Sequence, residues 1–140
     1  MQEERIDEIC SGGQWLGSTS EEIVGSIETV LGVRFPSDYR YFLLHYGSGN
    51  KKGVEIAGHH PKFISDQHVL GKTVYELRKY HFYPKHYIFI SDTGDGGQVC
   101  MDIKTWSVNV LYQEPPRGIR EIPFADNFTE FLIKSIATNG

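Results

Sequence analysis

Cysteine is scarce in this 140-residue chain, with only Cys10 and Cys100 present, far apart in the sequence. Neither belongs to a CxxC pair or lies at a zinc-ligand spacing from histidine. The sequence therefore offers no disulfide framework, and both thiols are read as free and reduced. No stretch approaches the roughly 18 apolar residues of a membrane span. The opening Met1-Gln2-Glu3-Glu4-Arg5-Ile6 lacks the apolar run of a signal peptide, so the expected location is the cytoplasm, away from membranes. Positive charge is not in excess either: 14 Lys and Arg face 18 Asp and Glu, a net charge of −4. Nucleic-acid binders usually carry a basic face that displaces phosphate counterions, so no nucleic-acid partner is expected. A basic protein partner is compatible with this balance, which also simply favours solubility. Finally, no GxSxG elbow, P-loop, GxGxxG fingerprint or HExxH motif appears. Cys100 falls in a strand candidate, not at a helix N-terminus where a thiolate is stabilised. No enzyme activity and no cofactor are expected.

What is present is ordinary for one globular domain. Hydrophobic residues make up 39% and charged residues 23%, values that argue against disorder. A single domain spanning residues 1–140 follows, large enough to bury a core unaided by metal or disulfide. Aromatic content is 13%, and such residues serve cores and interfaces alike.

Two helices are predicted near the start. Thr19 as N-cap and Glu22 at the third helical position make a capping box. Ile23, Ile27, Val30 and Leu31 then form one apolar stripe, and Gly32 suits the left-handed residue that ends a helix. Pro36 is placed to open the second helix, with Tyr39, Phe42, Leu43 and Tyr46 as its apolar face and Gly47 to Gly49 as its end. The connection between them is so short that the helices must pack together.

Beyond Gly49 the periodicity changes from helical to alternating. Residues 53–58 read as a strand with Val54 and Ile56 on one face and Glu55 on the other. His59 to Gly71 reads as loop and Thr73 to Tyr80 as a short helix. Strands are predicted at Tyr87 to Ser91, Gln98 to Ile103 and Val108 to Tyr112, joined by turn chemistry into an antiparallel meander. A last helix runs from Asn127 to Ala137, with Asp126 as N-cap. The fold class is α+β, an antiparallel sheet with helices packed on it.

Asp92-Thr93-Gly94-Asp95-Gly96-Gly97 has the look of a calcium loop, but an EF-hand register beginning at Asp92 puts Ile103 where the bidentate Glu belongs. A glycine-rich hairpin turn is the better reading. The histidines do not supply a helical zinc pair: His59 and His60 are adjacent, and His81 and His86 miss the i, i+4 spacing. No metal site is assigned.

Leu31-Gly32-Val33-Arg34-Phe35-Pro36-Ser37-Asp38-Tyr39-Arg40-Tyr41-Phe42-Leu43-Leu44-His45-Tyr46-Gly47-Ser48-Gly49 resembles the signature of the SMI1/KNR4 (SUKH) superfamily. There a helix ends in Leu-Gly-Val, and Pro-x-Asp-Tyr opens the next. Ile90 to Gly96 with Val99 to Asp102 is similar to the family's central hairpin, and Phe124 to Leu132 to its closing helix. The resemblance spans about residues 20–133. One departure is Gly47-Ser48-Gly49, where members often place Asn-Gly.

The resemblance implies an immunity protein that binds a cognate polymorphic toxin domain, often a nuclease, and blocks it stoichiometrically. A signalling or cell-wall-assembly scaffold is the alternative within the family. A small metal-binding protein or enzyme built on Asp92, Asp95 and the histidines is the remaining alternative. Partner-contact candidates are the acidic residues Glu55, Asp92, Asp95 and Asp102, with Tyr46 and Trp106 as aromatic anchors. Charge reversal at Asp92 and Asp95 is expected to slow association and leave the fold intact.

Overall fold

The chain opens with a helix that the sequence reading passed over, α1 (Gln2–Cys10), which buries Ile6, Ile9 and Cys10. Lys51 Nζ donates to the carbonyls of Ile9 and Ser11, each at 2.5 Å, so a cation closes the negative end of this helix. The computed structural model describes residues 2–59, 68–79 and 84–137.

A short strand, β1 (Gln14–Trp15), leads into α2 (Glu21–Leu31). The N-cap of α2 is Ser20 rather than Thr19, and its hydroxyl accepts from the Ile23 N–H at 3.2 Å. Thr19 is buried instead, with Oγ1 3.4 Å from His59 Nδ1. Gly32 at φ 72° closes α2: its N–H reaches the Thr29 carbonyl while Val33 N–H reaches that of Glu28. The expected stripe is only partly buried. Val24 and Ile27 face the core, whereas Ile23 is 39% and Val30 67% exposed. Each residue turns the helix by about 100°, so a core face built on Val24 and Ile27 carries Ile23 and Val30 to its margin.

Helix α3 (Ser37–His45) starts one residue later than expected, with Pro36 as its N-cap rather than its first helical residue, and buries Asp38, Tyr39, Phe42 and Leu43. Glu28 locks the two helices together, accepting from Phe35 N–H at 2.7 Å with Arg40 Nε 3.6 Å away. Strands β2 (Gly49–Lys51) and β3 (Val54–Ile56) join β1 in an antiparallel sheet of order β1-β2-β3. In β3, Glu55 points outward and Ile56 inward, as the alternation predicts. Gly58 follows where a Cβ would run into the Gly47 carbonyl, so this crossing of two chain segments requires glycine.

Helix α4 (Val69–Lys79) starts earlier than expected and absorbs Val69 to Gly71 from the predicted loop. The rest of that loop from His60 to Gln67, together with Tyr80 and His81, lies outside the described residues. The meander then appears as β4 (Tyr87–Asp92), β5 (Gln98–Asp102) and β6 (Val108–Glu114), plus an unforeseen fourth strand, β7 (Gly118–Ala125). Pro123, Arg120 and Glu121 lie on β7, which is consistent with its edge position in the sheet. Helix α5 (Phe128–Leu132) is capped by Asn127 and not by Asp126: Asn127 Oδ1 accepts from Glu130 N–H at 2.8 Å. The expected α-helix to Ala137 continues instead as a π-helical turn, Ile133–Ala137.

One core joins the helices to the inner face of the four-stranded sheet, where Ile88, Ile90, Val99, Met101, Val108 and Val110 meet Tyr39, Phe42 and Phe128. The Phe42 ring has Trp15, Tyr39, Tyr46 and Phe128 as ring neighbours at 5.4 to 6.1 Å. Asp38 fixes how these helices meet. Its buried carboxylate accepts from the Thr129 N–H and Oγ1, both at 3.0 Å, and from Tyr39 N–H at 2.7 Å. Two helix N-termini thus share one anion, which their dipoles favour.

Hydrogen bonds to a charged acceptor contribute about 1.5–3 kcal/mol each, so Asp38→Ala should cost about 3 kcal/mol or more in a urea titration. Asp126→Ala, at an exposed position that caps nothing, should stay within about 0.5 kcal/mol. Equal losses would contradict the assignment of Asp38 as the tie between α3 and α5.

Candidate functional site

The turn between β4 and β5 is held from within. Thr93 N–H donates to the Gly97 carbonyl at 3.0 Å, and Gly97 N–H donates to Thr93 Oγ1 at 2.9 Å. The Thr93 hydroxyl donates to the Asp95 carboxylate, which also accepts from Tyr112 OH at 3.0 Å. Gly94 and Gly96 both have positive φ, 89° and 100°, which closes the loop around Asp95. The Thr93 hydroxyl, with Tyr112 next, holds the exposed Asp95 carboxyl below its ordinary range.

Asp92 has a stronger constraint. Lys72 of α4 is 4% exposed, and its Nζ donates to Asp92 Oδ1 at 3.0 Å and Oδ2 at 3.1 Å. The same ammonium donates to Gln98 Oε1 at 3.3 Å, with Glu76 Oε1 4.0 Å away. A buried ammonium is costly unless paired, so Asp92 is both a surface carboxylate, its side chain 44% exposed, and the counter-ion of a core lysine. Reversing its charge would therefore disturb the fold, contrary to the expectation for a free turn residue.

Glu55 stands close by. Its carbonyl accepts from Ser91 Oγ, and the following Ala57 N–H donates to the Ile90 carbonyl at 2.7 Å, so β3 lies against the end of β4. Exposed Glu55 thus sits on a segment that adjoins the one bearing exposed Asp92 and Asp95, and this end of the sheet is an acidic corner. An open cleft of about 270 Å³ adjoins it, with Val54, Val99 and Phe131 along its apolar side and Asp92, Thr93 and Lys134 among its polar lining.

The other candidates lie elsewhere. Asp92 pairs with Gln98 and Asp102 with Tyr87, so Asp102 sits at the far end of β5, about 14 Å along the strand from Gln98. Its Oδ1 accepts from Lys104 N–H at 2.8 Å, and His86 Nε2 is 3.8 Å from its carboxylate. Trp106 occupies the same turn at φ 61°, half-buried, its ring 6.3 Å from Phe35. Tyr46 is on the helical side, where its hydroxyl donates to Asp7 at 2.5 Å. Burial, then the Asp7 carboxylate, pushes that phenol well up.

Lys72, Gln98 and Tyr112 were not foreseen as parts of this corner. Tyr112 was legible as a strand residue, but its reach to Asp95 depends on the order of strands. Lys72 gave no signal, since its pairing arises only when α4 is laid beside β4.

Among the described residues, no three His, Cys, Asp or Glu side chains are grouped to hold a metal ion, and no helix is long and apolar enough to cross a membrane. Burial pushes the Cys10 thiol up to about 12 and the Cys100 thiol well above its ordinary value. Both thiols are thereby held in the protonated form, which is a poor nucleophile.

A sequence model of the family described as SMI1-KNR4 cell-wall matches residues 21–132. The match runs from the first residue of α2 to the last of α5 and includes the whole acidic corner. No curated protein matches the sequence.

The Asp95 titration tests the corner's geometry. Its carboxyl is depressed in the folded state, so its contribution to stability is complete above the ordinary carboxylate range and is lost as pH falls through the lowered native value. Thr93→Val should raise the Asp95 midpoint, and Tyr112→Phe should raise it less, as followed by side-chain carboxyl NMR. A midpoint that neither substitution moves would contradict the contacts described.

Proposed function

Because this chain belongs to the SMI1-KNR4 family, we propose that it is an immunity protein, which binds a cognate toxin domain stoichiometrically and blocks it. The family is best known for proteins that act by binding rather than by catalysis. The acidic corner carries the proposal further: Glu55, Asp92 and Asp95 are exposed on neighbouring segments, and two of them are held in place by Lys72, Thr93 and Tyr112. Carboxylates fixed before contact lose little freedom on binding. A basic nuclease domain is the partner chemistry that such a corner favours, since complementary charge steers encounter and rejects wrong partners.

The half-buried Tyr46 and Trp106 contribute through their frames rather than as free anchors. Tyr46 braces α1 against α3 through Asp7, and Trp106 packs on Phe35. Asp102, at the opposite end of β5, lies apart from this corner. A scaffold role in cell-wall assembly is the second reading, favoured by the wording of the family description itself.

Co-expression with its cognate toxin domain should restore growth, while an unrelated toxin should remain lethal. Glu55→Lys, whose outward side chain is not part of the turn's bonding, should slow association severalfold at low salt, with the melting temperature preserved. A normally folded protein that neither binds nor protects would remove the immunity reading and leave the scaffold in front.

A further inference from the structure

Helix α4 begins on a histidine. The His68 carbonyl accepts the first helical hydrogen bond, from Lys72 N–H at 2.8 Å, which makes His68 the N-cap residue. Its ring nitrogen Nδ1 then accepts from Leu70 N–H at 3.2 Å, a bond that a Ser, Asp or Asn oxygen usually supplies at this position. A backbone N–H can only donate, so Nδ1 carries its lone pair and the imidazole is neutral, with its proton on Nε2. His68 is 1% exposed, so water does not replace a lost partner.

The chain around this cap is tied on both sides. Val69 N–H donates to the Gly58 carbonyl at 2.7 Å, and His59 N–H to that of Gly47 at 3.0 Å. About one turn further on, Lys72 holds Asp92 and Gln98, and Thr73 Oγ1 accepts from Phe89 N–H at 3.0 Å. The start of α4 thus carries the side chains that clamp β4 and the end of β5.

We propose that His68 is a pH-sensitive clasp, which on taking up a proton releases the first turn of α4 and with it the Lys72 grip on Asp92. Protonation fills the Nδ1 lone pair, so that one donor then faces another at Leu70. The same step sets a buried cation at the positive end of a helix dipole. Both effects oppose the charged ring while α4 is closed. Among the described residues, the ionisable side chain facing His68 from another element is His59, with ring centroids 5.8 Å apart and its Nδ1 3.4 Å from Thr19 Oγ1. A proton there adds repulsion of the same sign. Helix α2 presents Ile23, Ser26, Ile27 and Val30 to the groove that the two histidines line, none of them ionisable. On α4 itself, the Lys72 ammonium is engaged by Asp92, with Glu76 4.0 Å away.

His68 is neutral in the closed state, and once the turn opens it takes up a proton near the ordinary histidine value of about 6.5. The cap's contribution to stability is complete above that value and is lost as pH falls below it. The clasp acts on the acidic corner whatever partner the corner takes, and its test needs none. Amide hydrogen exchange of the full chain, corrected for the intrinsic pH dependence of exchange, should show protection of Lys72 and Thr73 falling about tenfold between about pH 7.5 and 5.5. Protection of Met101 in the sheet should hold over the same range. His68→Asn keeps a cap acceptor that does not titrate there, so the loss should vanish in that variant, whereas His59→Asn should retain it. NMR of the imidazole rings gives a second readout that needs no substitution: at about pH 6, below the ordinary histidine value, His68 should still be neutral with its proton on Nε2. Protection that ignores pH, a loss that survives in His68→Asn or disappears in His59→Asn, or a charged His68 ring in the closed protein overturns the proposal.

Discussion

The buried carboxylate of Asp38 is the constraint on which the arrangement of helices rests. It joins the start of α3 to the start of α5, 91 positions later in the chain. An anion so placed would be destabilising if it lacked partners, since a lost partner leaves an uncompensated charge. Here backbone N–H groups and a hydroxyl supply them. With both helix starts tied to one point, Tyr39, Phe42 and Phe128 come into ring contact, and the sheet's inner face has a fixed surface to pack on.

From that point a chain of contacts leads to the exposed corner. Tyr39 follows Asp38 directly, and its hydroxyl donates to the Ala57 carbonyl at 2.6 Å. Ala57 N–H donates to Ile90 of β4, and two residues further on stands Asp92. On the other side, Lys72 of α4 grips Asp92 and Gln98 together. The acidic corner is therefore held by the core from one flank and by a buried ammonium from the other. Preorganised charge of this kind helps a binding surface, because less motion is lost when a partner arrives.

Much of this architecture was legible in the sequence, and the parts that were not share a physical cause. The two central helices, β3 and the meander announce themselves by periodicity and by glycine or proline at their ends. Helix α1 could have been found from Ile6, Ile9 and Cys10, spaced at i, i+3 and i+4, but its many charges masked the pattern. Strand β7 carries Pro123 and an Arg-Glu pair, which lower strand propensity; its place at an edge tolerates them. The cap at Ser20 and the rotation of α2 turn on one-residue shifts, and a stripe of four apolar residues does not say which of its sides meets the core. At the corner, Asp92 and Asp95 were readable as turn residues. Their partners Lys72 and Tyr112 were not, because those contacts join elements whose relative placement is tertiary.

The most direct measurement is hydrogen exchange of the full chain, alone and saturated with a toxin domain that it is found to bind. The account predicts new protection concentrated in β3 and in the turn from Asp92 to Gly97, with the exchange of α1 unchanged. Protection confined to the helical side, or to the turn holding Asp102 and Trp106, would contradict the acidic corner as the partner face.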